Sequence, residues 1–336
     1  MKRASVKDVA KLAQVSTATV SRAFNNPELL NQSTLDAVMK ACEELNYTQN
    51  SVGRNLRTNR TDSYGVIFYP SCREIFASPF YQRIFEGIES LMVEKRMNIM
   101  LSGYDTSAKL DRKPKFLTDS SVDGVILLGG SESDLTGLLK GVSTPVLMLD
   151  ATAPGVDSVL PDNEQPFKDL VKQFKRQGHR RIAMVTHAES DHNRDKRLSA
   201  FKQGAKNAGY TNRTSFVHLV PERRSNKKED YAGLFELIEK RKMTAVCTNH
   251  DTLALEIQKF ARARKVKIPE DFVLVGFDDL PEAREAGWLS THWINKVEMG
   301  RIGAEMIIER AKDPSIKPRT RIVAPEFVER KSFVMD

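Results

Sequence analysis

From Ser63 onward, short apolar runs alternate with amphipathic segments, and that alternation restricts the fold more than any other feature of the sequence. Gly65 to Tyr69, Asn98 to Ser102, Gly124 to Leu128 and Val146 to Leu149 read as buried strands. Helical patterns lie between them, such as Tyr81 to Arg96 with Ile84, Ile88, Leu91 and Met92 on one face. A second series begins near Gln165: a helix, Ile182 to Val185, a helix from Arg197, Phe216 to Val220, and a helix from Asp230. It continues with Ala245 to Thr248, a helix from Asp251 and Val273 to Phe277. Strands alternating with helices predict parallel sheets in doubly wound layers, and two series predict two similar lobes. Ligands of such sheets bind outside the carboxyl ends of the strands, so two facing lobes would enclose a cleft.

The first 47 residues follow a different rule. Val6, Val9, Ala10 and Ala13 recur at i, i+3, i+4 and i+7, the stripe of an amphipathic helix. Gln14-Val15-Ser16 is a connection of helix-turn-helix length, and Ser16 is the expected N-cap of a second helix. In that helix Val20, Ala23 and Phe24 fall on one side, while Thr17, Ala18, Ser21 and Arg22 fall on another. One face can pack while the other offers small hydrogen-bonding groups and one guanidinium, which suits reading base edges in a major groove. Asn25-Asn26-Pro27 stops the second helix. A third follows, with Asn31 as N-cap and Leu35, Val38, Cys42 and Leu45 on one face. The competing reading of these three helices is an ordinary scaffold bundle.

Charge and composition narrow the function. Net charge is +8, and residues 1–60 hold nine Lys or Arg against five Asp or Glu. That net of +4 is four- to five-fold denser than over the remaining 276 residues, as a phosphate-binding surface requires. An apolar content of 40% supports real cores across two or three domains. No run approaches a membrane span, and no apolar signal core follows Met1-Lys2-Arg3, so a cytoplasmic protein is expected. Cys42, Cys72 and Cys247 are odd in number and far apart, without metal-ligand spacing. No dinucleotide fingerprint, Walker A sequence, nucleophile elbow or H-E-x-x-H is present. His179, His187, His192, His218, His250 and His292 read as six isolated side chains. No enzyme, cofactor or metal is expected.

The run from Ser5 through Ser16, then Ala18 to Arg22 and Glu44 to Tyr47, resembles the headpiece of the lactose-repressor/galactose-repressor family of bacterial transcription regulators. The likeness continues in Val122-Asp123-Gly124-Val125-Ile126, Pro145 to Asp150, Gly178 to Ala183, Pro269-Glu270-Asp271, Val275 to Asp279 and Met299-Gly300. The resemblance implies a small all-α helix-turn-helix headpiece joined to an α/β, two-lobed, periplasmic-binding-protein-like domain of doubly wound parallel sheets. The expected division is a headpiece over 1–48 and a hinge over 49–60. A first lobe over 61–161 and 290–321 and a second over 162–289 and 322–336 follow, with crossings near Asp162, Ser290 and Arg321. The implied DNA-binding residues are Ser16, Thr17, Ala18, Thr19, Ser21, Arg22, Asn31 and Thr34, with Thr17, Ala18 and Arg22 at the base-reading positions. From the hinge come Asn50, Gly53, Leu56 and Arg57, Leu56 matching a residue that wedges between base steps in the minor groove. Gln49 and Gly53 depart from the Pro and Ala common in the family, and Gly within a helix costs roughly 0.8–1.0 kcal/mol relative to Ala.

For the cleft, the candidate ligand-contacting residues are Phe80, Tyr81, Asp150, Arg197, Arg224, His250 and Asp278, of which the resemblance itself supplies Arg197, at the family's effector-contacting arginine position. Asp150, His250 and Asp278 directly follow strands, and Arg197 and Asp278 can bracket a polyol with charge-assisted hydrogen bonds. The competing reading of that pair is a structural ion pair. His250 replaces a common Asn, Ala200 a common Gly, and Arg223-Arg224 an aromatic; with His192 and Arg194 these suggest an anionic effector such as a uronate or sugar phosphate. The expected partners are an operator in double-stranded DNA, a sugar-type effector and a second copy of the chain on a palindromic site. A solute-binding protein would leave the headpiece unexplained, and a sugar-acting enzyme ranks last because no catalytic constellation is visible.

Overall fold

The computed structural model describes residues 4–47, 60–69, 72–73, 77–104, 113–130, 137–221 and 228–335. The chain divides into two compact units, 1–61 and 62–336.

The first unit contains α1 (Val6–Leu12), α2 (Thr17–Asn25) and α3 (Gln32–Glu44). Each start is fixed by a side chain that satisfies an orphan backbone donor. Ser5 and Asp8 form a capping box, Ser16 Oγ accepts from Thr19 N at 3.0 Å, and Asn31 Oδ1 accepts from Thr34 N at 2.8 Å. The turn between α1 and α2 passes through Gln14 at φ 54°, a left-handed conformation that a non-glycine residue adopts at a cost. Val9, Val20 and Val38 are fully buried where the helices meet, with Ala10, Ala23, Ala41 and Cys42 around them. Small residues at the contact allow a core to form from so few turns.

The second unit holds two sheets. The larger has the order β11-β5-β4-β3-β1-β2, all parallel: β1 (Ser63–Phe68), β2 (Asn98–Gly103), β3 (Gly124–Leu128), β4 (Val146–Leu149), β5 (Asp157–Pro161) and β11 (Thr320–Val323). The smaller has the order β7-β6-β8-β9, also parallel: β6 (Ile182–His187), β7 (Ser215–Val220), β8 (Ala245–Thr248) and β9 (Val273–Val275). Its helices are α5 (Gln165–Arg176), α6 (His192–Asn207), α7 (Lys228–Arg241), α8 (Asp251–Ala263) and α9 (Pro281–Ala286). On the larger sheet α4 (Pro79–Glu94) packs along α10 (Lys296–Lys312). The two helices meet at glycines: a Cβ on Gly87 would lie 1.9 Å from the Val297 carbonyl oxygen, and one on Gly300 2.0 Å from that of Ile84.

Four features depart from the sequence expectation. The strand from Asn98 is an edge, not buried, and exposes Met100 and Leu101. The strand β5 was not anticipated; it opens on Asp157, an unpromising core residue, which is buried because Arg310 meets it at 2.8 Å and 3.0 Å. The short strands β10 (Thr291–Trp293) and β12 (Glu326–Val328) pair antiparallel. The chain leaves the first lobe between Pro161 and Gln165, but returns at Ile294-Asn295 rather than Ser290, since Ser290 to Trp293 run beside Val275 to Asp278. The last crossing falls at Ala324-Pro325, because Arg321 still pairs with Val159 in the first-lobe sheet.

Candidate ligand cleft and nucleic-acid interface

On the headpiece, α2 buries Val20 and Ala23 and leaves Thr17, Ala18 and Arg22 exposed. Ser16 and Asn31 are exposed caps, Thr19 and Ser21 are half-buried, and Thr34 is held at the start of α3 by Asn31. Small exposed groups beside one extended cation can approach a groove without steric obstruction. Asn50, Gly53, Leu56 and Arg57 lie outside the described residues, as does Arg224.

In the second unit the carboxyl ends of both sheets open onto a cavity of about 650 Å³. Phe80, Tyr81, Asp150, Arg197, His250 and Asp278 all line it, so six of the seven expected positions converge on one space. Arg197 is the fixed point. It is buried at 5% exposure, its Nε donates to Asn163 Oδ1 at 2.7 Å, one Nη donates to the Asn249 carbonyl, and its guanidinium lies 4.0 Å from the Phe277 ring centroid. Its other Nη approaches Asp278 Oδ1 at 3.6 Å, an ion pair rather than a hydrogen bond. Asp150 comes from the first lobe, at the end of β4. Its Oδ1 accepts from Asn193 Nδ2 of the second lobe at 2.7 Å, and its Oδ2 from the Tyr81 hydroxyl at 3.4 Å.

Burial raises all three carboxyls under the cavity. Asp150 is pushed up to about 7, with Arg197 opposing the shift and Asp278 adding to it. Asp251, which accepts from Leu280 N at 2.7 Å and the Thr291 hydroxyl at 2.6 Å, rises to about 8 for the same reason, with Asp278 adding to it. Asp278 is raised by burial and held down by Arg197 and Lys296. Asp150 and Asp278 sit at φ 60° and 104°, positive values that Asp tolerates better than most residues and that aim both side chains off the strand ends.

Sequence reasoning missed four groups that shape this site. Asn163, Asn193 and Asn249 hold Arg197 and Asp150 by polar contacts that carry no sequence pattern. Lys296, at 6% exposure, donates to the Asp278 carbonyl and lies 5.5 Å from the Phe80 ring centroid, joining the entrance helix to the floor. The histidines are not all isolated: His187 Nε2 and His250 Nε2 lie 2.7 Å apart, so one ring donates and the other accepts. His292 stacks near Phe167 and Phe277, and burial lowers it to about 4, leaving it neutral in the core. Arg194 also lines the cavity, with its Nε donating to the His187 carbonyl and one Nη to Asp195. Among the described residues no group of three potential ligands is placed to hold a metal, and no helix is long and apolar enough to cross a membrane.

Comparison with known proteins agrees with both units. Residues 5–50 match the bacterial regulatory proteins of the lacI family, and residues 171–333 match the periplasmic binding protein-like domain. The chain is 27% identical over 335 residues to the ribose operon repressor of Haemophilus influenzae, covering 98% of each. It is 26% identical to the HTH-type transcriptional repressor PurR of Aliivibrio salmonicida, again over 98% of each. Among solved structures it shares its fold with the lac repressor dimer bound to operator and the anti-inducer ONPF (TM-score 0.77, 19% identity, 98% of this chain and 99% of that one). It also shares its fold with a CelR–cellobiose complex (TM-score 0.70, 24% identity, 98% and 100%). The relatives are repressors rather than enzymes. With a lacI-family helix-turn-helix unit over residues 5–50 that exposes Thr17, Ala18 and Arg22, and a periplasmic-binding-protein-like receptor built around Arg197, the chain is a ligand-responsive, DNA-binding transcription repressor.

Proposed function

We propose that this repressor binds a palindromic operator as a homodimer and that a small neutral polyhydroxylated compound, of the sugar class, sets its DNA affinity from the interlobe cleft. The observation that carries the ligand class is the distribution of donors and acceptors around Arg197. Its Nε and one Nη are already committed to Asn163 and Asn249, while Asp150 and Asp278 both line the cavity. Carboxyl oxygens accept from hydroxyls with or without a proton, and the ionised ones oppose a second anion, so this arrangement favours a donor-rich neutral ligand over a uronate or sugar phosphate. The solved LacI-family regulator from Enterococcus faecium with bound ribose has the same fold (TM-score 0.65, 21% identity), and a pentose of this kind fits the proposed class.

In this reading Phe80 and Tyr81 cover an apolar sugar face, and Asp150 from one lobe and Asp278 from the other grip the hydroxyls together. Ligand then changes the free-energy difference between lobe arrangements, and operator and ligand must alter each other's affinity by the same factor. In the headpiece, Arg22 makes a bidentate contact to guanine, worth roughly 1–3 kcal/mol of discrimination, with Thr17 and Ala18 beside it. Calorimetry with neutral pentoses and hexoses against uronates and phosphorylated sugars tests the ligand class. Tight binding confined to the anionic compounds would overturn it.

A further inference from the structure

The second lobe has a basic pole at the edge opposite the cleft. In a parallel sheet every strand begins at the same edge, so the segments leading into β6, β7, β8 and β9 share one surface. Hydrogen bonds tie them together: Thr244 N to the Arg181 carbonyl at 3.1 Å, Ile182 N to that of Thr214 at 2.9 Å, and Val273 N to that of Thr244 at 3.0 Å. Residues 175–181, 206–213, 240–244 and 262–267 contain thirteen Lys or Arg and no Asp or Glu, and all thirteen are exposed. Thirteen positive charges in a chain whose net is +8 leave the rest at −5. Among the described residues only Lys240 of the thirteen is ion-paired, to Glu236. The nearest acids along the chain are Glu239, which directly precedes the third segment, Glu236 one turn before it, and Glu270 and Asp271 after the last segment, where Asp271 is occupied by the Lys267 backbone N–H at 2.7 Å.

Helix polarity explains part of this, since cations are favoured in a helix's last turn. Six of the thirteen lie in the last turns of α5 to α8, but the other seven, Arg180, Arg181, Arg213, Lys242, Arg264, Lys265 and Lys267, lie beyond helix ends. Nor does the architecture demand it, because α4 ends without a basic residue in its last turn. None of the exposed large hydrophobic side chains falls in the four segments, and the one tied to their border is Val334, whose carbonyl accepts from Gln177 Nε2. A protein partner would need an apolar or aromatic centre to this surface, whereas a nucleic acid held through its phosphates needs cations alone.

We infer that this pole is a second, sequence-independent DNA-binding surface, which holds a duplex other than the one read by the headpieces. The guanidinium forks of Arg180, Arg181 and Arg213 suit phosphate oxygens, and contact with phosphates carries no sequence information. The repressor could then hold its operator and a distant or sister duplex at once.

The test uses the full-length protein and two random-sequence 30-bp duplexes carrying different fluorophores, with coincidence of the two labels on one particle as the readout. The wild type should join the two labels, and with four to six phosphates engaged, doubling the salt should weaken capture of the second duplex roughly 10- to 40-fold. Replacing Arg180, Arg181, Arg241 and Lys242 by Gln should abolish coincidence while single-duplex binding persists. Arg181 also donates to the Arg241 carbonyl, so a second variant, Arg213→Gln with Lys265→Gln and Lys267→Gln, tests the pole without that bond. Coincidence unchanged in both variants, or absent in the wild type, overturns the inference. So does a wild type that takes up labelled polyglutamate at this surface and no second duplex, which would assign the pole to an acidic protein. Loss of single-duplex binding would instead count against the headpiece.

Discussion

Replacing Arg197 by Met removes the cation at the centre of the cleft while keeping an unbranched apolar stem against Phe277. Asp278 then stays buried at 8% exposure without the guanidinium 3.6 Å away, and the Asn163 and Asn249 acceptors lose their donor. Breaking a buried ion pair from one side costs about 3–5 kcal/mol, because the surviving charge is left uncompensated. Asp278→Asn alone leaves Arg197 its bonds to Asn163 and Asn249, so it should cost less. The double variant leaves no orphaned carboxylate, and its loss should fall short of the sum of the single losses by at least about 1 kcal/mol. The sign of the pH effect follows. Without Arg197 the Asp278 carboxyl moves further above the usual range, so protonation relieves the penalty and the single variant loses less at pH 5.5 than at pH 8. Both tryptophans, Trp288 and Trp293, lie in the second unit, so denaturation followed by indole fluorescence reads this stability directly. Additive losses with no pH dependence would refute the reasoning.

Stability of the second unit should fall as pH rises from about 4 through 8. Asp150 and Asp251, raised to about 7 and about 8, hold protons in the folded state that the unfolded chain has released. Asp251→Asn should flatten that slope by up to about 1.4 kcal/mol per pH unit, as read from denaturation midpoints between pH 5 and 8. Gly300→Ala should cost about 1–3 kcal/mol or more, since its Cβ would meet the Ile84 carbonyl oxygen at 2.0 Å and backbone cannot move aside as a flexible side chain can; an unchanged indole-fluorescence midpoint would contradict the close crossing. Ser16→Ala removes the cap on Thr19 N and should cost about 1 kcal/mol, visible as roughly five-fold faster amide exchange across α2.

Much of this molecule could be read from the chain because its patterns are local. Gly124 to Leu128 and Ala245 to Thr248 are strands at the expected residues, and Ser16 and Asn31 cap the helices expected of them. The convergence of Asp150, His250 and Asp278 followed from a rule about strand ends. Features made by tertiary pairing were hidden. Asp157 looks like a loop residue until Arg310 neutralises it, and Asn98 to Ser102 looks like a core strand until its place at the sheet edge is known. Lys296 and Asn193 gain meaning only from what faces them across the cleft. The basic pole was hidden in another way, since its four segments are spread over more than 90 residues and become one surface only through the strand order.

The most direct measurement is selection of bound sequences from a random duplex pool by the purified protein, followed by titration of the winning duplex with and without candidate sugars. A sequence with two-fold symmetry should emerge, its affinity should shift several-fold with one neutral sugar, and Arg22→Ala should loosen one position in each half-site. If instead every duplex binds with the same weak, salt-sensitive affinity whatever small molecule is present, α2 does not read bases and the cleft around Arg197 does not govern DNA binding.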